Sequence, residues 1–134
     1  MTQIGLIRCE KNENRCPLTS CLRSLKTTTQ GFAGYEAAEL VGVFTCRCPG
    51  SGVADMAKIL KRKGAEAIHF CTCTFAHKEE GAWVEGRGFC KHLENLLQQI
   101  AGEADIPCVQ GTAHLPASYT PITYGAAPAG QRSA

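Results

Sequence analysis

Four short apolar runs alternate with three stretches whose apolar residues recur at helical spacing, and this alternation constrains the fold more than any other feature. The runs are Gln3-Ile4-Gly5-Leu6-Ile7-Arg8, Leu40-Val41-Gly42-Val43-Phe44, Glu66-Ala67-Ile68-His69-Phe70-Cys71 and Ile106-Pro107-Cys108-Val109. Each is short, continuous and β-branched, as a strand covered on both faces must be. The first helix is expected to open at Cys16-Pro17, with proline at the first helical position. Leu18, Cys21, Leu22 and Leu25 form its buried stripe, and Gly31 and Gly34 follow its end. Val53, Met56, Ala57 and Leu60 mark a second helix, capped by Gly64. Phe89, Leu93, Leu96, Leu97 and Ile100 mark a third.

The order β-α-β-α-β-α-β predicts a small doubly wound α/β fold. It is flavodoxin- or Rossmann-like, with a mainly parallel sheet of about four strands and helices on both faces. The expected strand order is 2-1-3-4. Residues 1–115 are read as one domain, and 116–134 as a Pro/Gly/Ala-rich tail, mobile or laid across the surface. The stretch from Thr74 to Gly88, with three glycines and the sole tryptophan, reads as a long loop.

Nine cysteines are placed on this pattern with evident bias. Cys9, Cys46, Cys48, Cys71 and Cys73 follow the first three strands. Cys16 and Cys90 precede helices, with His92 beside Cys90, and His114 follows the fourth strand. Parallel strands all end on one rim, and ligands bind there. The cysteines of distant segments are therefore expected to converge. A helix N-terminus favours the thiolate, which is the metal-binding form.

Net charge is +2, too small to imply nucleic acid, and no apolar run approaches a membrane span. The N-terminus lacks the pattern of a secretory signal, so a cytoplasmic location is expected. In that compartment clustered, odd-numbered cysteines read as metal ligands or redox centres rather than as a disulfide framework. The candidate ligands are Cys9, Cys16, Cys46, Cys48, Cys71, Cys73, Cys90, His92 and His114. Cys21 and Cys108 are expected in the core. His69 reads as a buried histidine with a lesser claim to a ligand role, His77 as a solvated loop residue, and Trp83 as a lid or loop filler.

Residues i and i+2 of an extended segment lie about 6.6 Å apart. Two sulfurs on one zinc come within roughly 3.8 Å, because Zn–S is about 2.3 Å. Extended Cys-x-Cys pairs such as 46/48 and 71/73 therefore suit an iron–sulfur cluster slightly better than mononuclear zinc. The expected role is redox or metal handling, with a redox partner protein or a second copy of the chain as possible associates. Two enzyme readings stand beside it: thiol–disulfide chemistry by Cys46/Cys48 or Cys71/Cys73, and a phosphatase-like loop from Cys9 to Arg15. The second is opposed by Glu10 and Glu13, which repel an anion.

Several short motifs, in order, resemble the CGGC-domain family of small prokaryotic proteins described as metal-binding. They are Ile7-Arg8-Cys9-Glu10, Cys16-Pro17, Cys46-Arg47-Cys48-Pro49-Gly50, Ile68-His69-Phe70-Cys71-Thr72-Cys73, Cys90-Lys91-His92 and Gly111-Thr112-Ala113-His114. The resemblance spans about residues 3–114. It implies that Cys9, Cys16, Cys46, Cys48, His69, Cys73, Cys90, His92 and His114 occupy the family's recurring Cys/His positions, with zinc suggested. The naming Cys-Gly-Gly-Cys is here Cys46-Arg47-Cys48, one residue shorter.

Overall fold

The computed structural model describes residues 1–126. A five-stranded sheet forms its centre: β1 (Thr2–Cys9), β2 (Ala38–Cys46), β3 (Ala67–Phe70), β6 (Cys108–Gln110) and β7 (Ile122–Tyr124), in the order β2-β1-β3-β6-β7. The first four are parallel and follow the expected order. The fold is the doubly wound α/β architecture anticipated from the alternating pattern.

Side chains alternate between faces along each strand. Ile4, Leu6 and Ala67 pack toward α1 (Thr19–Thr27) and the Phe32–Tyr35 segment. Ile7, Ile68, Phe70 and Cys108 pack against α2 (Val53–Arg62) and α3 (Leu93–Glu103) on the other face. Both faces of β3 are buried along its whole length. Each fully buried Leu, Ile or Phe contributes about 1.5–3 kcal/mol.

Four readings of the sequence are corrected. The long loop of 74–88 contains an antiparallel hairpin, β4 (Ala76–Glu79) and β5 (Ala82–Glu85). Its turn is Glu80-Gly81, both at positive φ, as a two-residue hairpin loop requires. The stretch from Pro116 is not free along its described part: β7 pairs antiparallel with β6, and Tyr119 donates a 2.7 Å hydrogen bond to the Gln110 carbonyl. The tail reading for 127–134 lies outside the described residues.

Helix α1 starts at Thr19 rather than Cys16, because Leu18 is left-handed at φ 67°. The carbonyl of Cys16 instead accepts a hydrogen bond from Arg8 Nη2 at 2.5 Å. Likewise α3 starts at Leu93, so Cys90 lies in the preceding loop and His92 is only the cap position.

Candidate functional site: two thiol-lined cavities at the sheet edge

Cys9 and Cys46 are the last residues of β1 and β2 and are paired in register. Beyond Cys46 the chain turns through Arg47, Cys48, Pro49 and Gly50 into α2. Gly50 stands at φ +90°, and a side chain there would press on Leu96 and Cys46. The turn is tied back to the end of β1. Arg47 forms a two-pronged ion pair with Glu13 at 3.0 and 3.2 Å, and the Cys48 amide donates to the Glu10 carboxylate.

Cys90 reaches the same place from another direction. Its amide donates to the Thr74 carbonyl at 3.0 Å, and Phe89 donates to the Cys73 carbonyl at 2.9 Å. The adjacent Gly88 packs so closely on the Thr74–Phe75 backbone that a Cβ would lie 2.4 Å from the Phe75 nitrogen. Cys9, Cys46, Cys48, Cys90 and His92 thus line one cavity of about 130 Å³, completed by Lys11, Lys91, Pro49, Phe70, Thr74 and Leu96. It lies on the α3 side of the sheet.

Burial pushes the Cys46 thiol up to about 11, helped by the nearby Cys90, Cys9, Cys48 and Glu10 charges. Burial also raises Cys90, against an opposing hydrogen bond from the His92 amide.

A second cavity of about 120 Å³ lies on the α1 side, and Cys9 borders both. Cys16, Cys21, Cys71, Cys73 and His114 line it, with Arg8, Asn12, Leu18, Trp83, Thr72, Thr112 and Ala113. Thr72 and Thr112 clamp the ends of β3 and β6 together: each hydroxyl oxygen accepts the other residue's amide, at 3.0 and 3.2 Å. Trp83 of the hairpin stacks on His114 at 5.2 Å with the ring planes nearly parallel, so the tryptophan forms part of the wall of a thiol-lined cavity.

Cys71 is not an extended partner of Cys73, since residues 72–74 form a 3-10 turn. Its sulfur instead sits 3.9 Å from Cys21 Sγ. The proton of this pair belongs to Cys71, which is held well above the usual thiol range by Cys21 and by burial. Hydrogen bonding from Cys71 lowers Cys21 to about 6, with help from Thr112, the Ala113 amide and the Arg8 charge. Burial lifts Cys73 to about 11.

Eight of the nine cysteines therefore converge on the rim. Only Cys108 stands apart, fully buried as expected. Cys21 is buried as read from the sequence, packed with Leu6, Leu18, Cys71 and Ala113, and it also lines the second cavity, which that reading did not include. The sequence hint was Thr19-Ser20, residue types that favour a helix start. A helix opening there puts Cys21 in the first turn.

His69 is wholly buried and lines neither cavity. Its Nε2 accepts from the Tyr35 hydroxyl at 2.8 Å and its Nδ1 donates to the Gly111 carbonyl at 2.9 Å. His77 bonds the Gly86 carbonyl and Glu79, fastening the hairpin. The Cys9–Arg15 spacing builds no phosphate cradle: Arg15 is exposed and lines neither cavity. Among the described residues, no three His, Cys, Asp or Glu side chains are arranged as they stand to hold one metal ion. Nor is any helix among them long and apolar enough to cross a membrane.

The fold and its rim define a cysteine-rich, doubly wound α/β protein with its chemistry-bearing side chains at the carboxyl ends of the parallel strands. The CGGC domain model matches residues 3–113, and the chain belongs to the CGGC domain family. It is 32% identical over 119 residues to an uncharacterized protein of Methanocaldococcus jannaschii, covering 82% of this chain and 85% of that protein. No solved structure matches.

Proposed function

We propose that the α3-side cavity is a thiolate metal centre held by Cys9, Cys46, Cys48 and Cys90, with His92 at its mouth. The observation that carries this reading is the convergence of four sulfurs from three separate chain segments on one cavity of about 130 Å³. Soft thiolates in such number select zinc, cuprous ion or iron–sulfur clusters.

Of these, an iron–sulfur cluster is favoured. A single tetrahedral ion draws its sulfurs to within roughly 3.8 Å of one another, closer than residues such as Cys46 and Cys48 stand when the backbone between them is extended, about 6.6 Å. A polynuclear cluster spans a wider ring of cysteines. When bound it would supply one-electron transfer, in redox or metal handling with a partner protein.

The chain's own residues suit that task. Phe70, Pro49 and Leu96 give the cavity an apolar wall that limits water, while Lys11 and Lys91 bring positive charge to offset the thiolates. Cys46 and Cys90 keep their protons when no metal is present, and release them on binding. Anaerobic purification followed by iron, zinc and sulfide analysis tests the proposal. Iron with acid-labile sulfide supports the cluster, stoichiometric zinc replaces it with a mononuclear centre, and neither metal in a folded protein refutes the centre.

A further inference from the structure

We propose that the α1-side cavity is a dithiol site that reduces a small hydroperoxide, with Cys21 as the attacking sulfur and Cys71 as the thiol that closes the disulfide. The two sulfurs come from α1 and from the end of β3, 50 residues apart in sequence, and stand 3.9 Å apart. A disulfide needs about 2.05 Å between sulfurs, a gap that side-chain rotation closes.

Three features of the cavity serve this chemistry. Thr112 Oγ1 lies 3.1 Å from Cys21 Sγ and accepts the Thr72 amide, so its own proton is free for the sulfur. Arg8 lines the wall with a buried Nε–H that has no acceptor among the described residues. That leaves a donor and a positive charge for an oxygen that leaves with growing negative charge. Finally, Cys21 and Cys71 are only 8% and 2% exposed, beneath a cavity of about 120 Å³. A molecule of two oxygens enters such a space, while a bulky disulfide substrate is kept from the pair.

The steps balance. A lone pair on Cys21 sulfur attacks one peroxide oxygen and the O–O bond breaks. The other oxygen leaves as hydroxide, or as alkoxide from an alkyl hydroperoxide, and takes a proton from solvent; Cys21, which attacks as the thiolate of the pair, becomes a sulfenic acid. Cys71 sulfur then attacks Cys21 sulfur and the S–O bond breaks. The hydroxyl leaves as water with the Cys71 proton. The two thiols lose two electrons together, and the hydroperoxide gains them. Apart from Cys9, this site shares no residue with the α3-side cavity, so it stands whether or not that cavity holds metal.

The test is hydrogen peroxide added to the reduced full-length protein, then alkylation, non-reducing tryptic digestion and tandem mass spectrometry. The expected product is a link between the peptide of residues 16–23 and that of 64–78, with loss of two hydrogens, assigned by fragmentation to Cys21–Cys71. The link must persist in Cys16→Ser and Cys73→Ser, which removes the other cysteine of each peptide. In Cys71→Ala, dimedone should trap a sulfenic acid on Cys21. A link that vanishes in Cys16→Ser or Cys73→Ser overturns the assignment. So does free, alkylated Cys21 in peroxide-treated wild-type protein whose exposed Cys48 has been oxidised.

Discussion

Cys9 and Cys46 stand opposite each other as the terminal residues of neighbouring parallel strands. Strand spacing of about 4.8 Å then fixes the distance between their backbones before any loop is considered. The sheet itself supplies half of the proposed centre, and the turns bearing Cys48 and Cys90 supply the rest. Because burial holds Cys46 at about 11 and raises Cys90 as well, binding must expel protons. Metal affinity therefore rises with pH across the neutral range. Titration with zinc as the probe should show at least roughly tenfold tighter binding per pH unit between pH 6 and 8, with protons released into weak buffer.

The buried His69 makes folding sensitive to acid. Burial lowers it to about 4, partly opposed by the Gly111 carbonyl, whereas in the unfolded chain it titrates near ~6.5. The folded state binds this proton less readily. Its stabilising contribution is complete above about pH 6.5 and is lost as pH falls toward about 4, by up to about 3 kcal/mol. Urea melts from pH 7 to 4 should show this slope, and it should flatten in a folded His69→Gln variant. Tyr35→Phe strips the donor from His69 Nε2 and should cost about 1–3 kcal/mol at pH 7.

Gly88 is where a small change reaches the site through the backbone. An added Cβ would strike the Thr74–Phe75 backbone, so Gly88→Ala must push the 88–90 loop outward and carry Cys90 with it. The expected cost is about 1–3 kcal/mol by thermal melting. Metal content should fall even at temperatures where the variant stays folded.

The strands and helices that form the layers were legible because their burial is two-sided for β1 and β3 and one-sided for α2 and α3, which leaves plain periodicities. Convergence of cysteines on the rim followed from the parallel sheet alone. What escaped was set by particular contacts. Arg8 captures the Cys16 carbonyl and Leu18 goes left-handed, so α1 starts a turn late and the buried Cys21 falls in its first turn, at the wall of the second cavity. The hairpin strands are polar and four residues long, with an Ala-Trp-Val-Glu pattern too brief to separate from loop. β7 is three residues joined to an edge, held by pairing with β6 rather than by its own composition.

Trp83 and His114 stack on each other in the wall of the α1-side cavity. Such a contact contributes about 0.5–1.5 kcal/mol. Trp83→Ala should therefore raise the alkylation rate of Cys73 and Cys21 up to about tenfold, while Cys46 and Cys90 react as before. Stopped-time iodoacetamide labelling read by mass spectrometry checks this.

Metal content and optical spectrum of the anaerobically purified protein, wild type beside Cys46→Ser and Cys108→Ser, bear most directly on the central claim. Wild-type protein and Cys108→Ser should both carry iron, acid-labile sulfide and broad visible absorption, with Cys108→Ser less stable because its hydroxyl is buried in the core. Cys46→Ser should lose the metal and the colour while keeping its far-ultraviolet circular dichroism. Equal metal in Cys46→Ser and wild type, or none in either folded protein, would contradict the account.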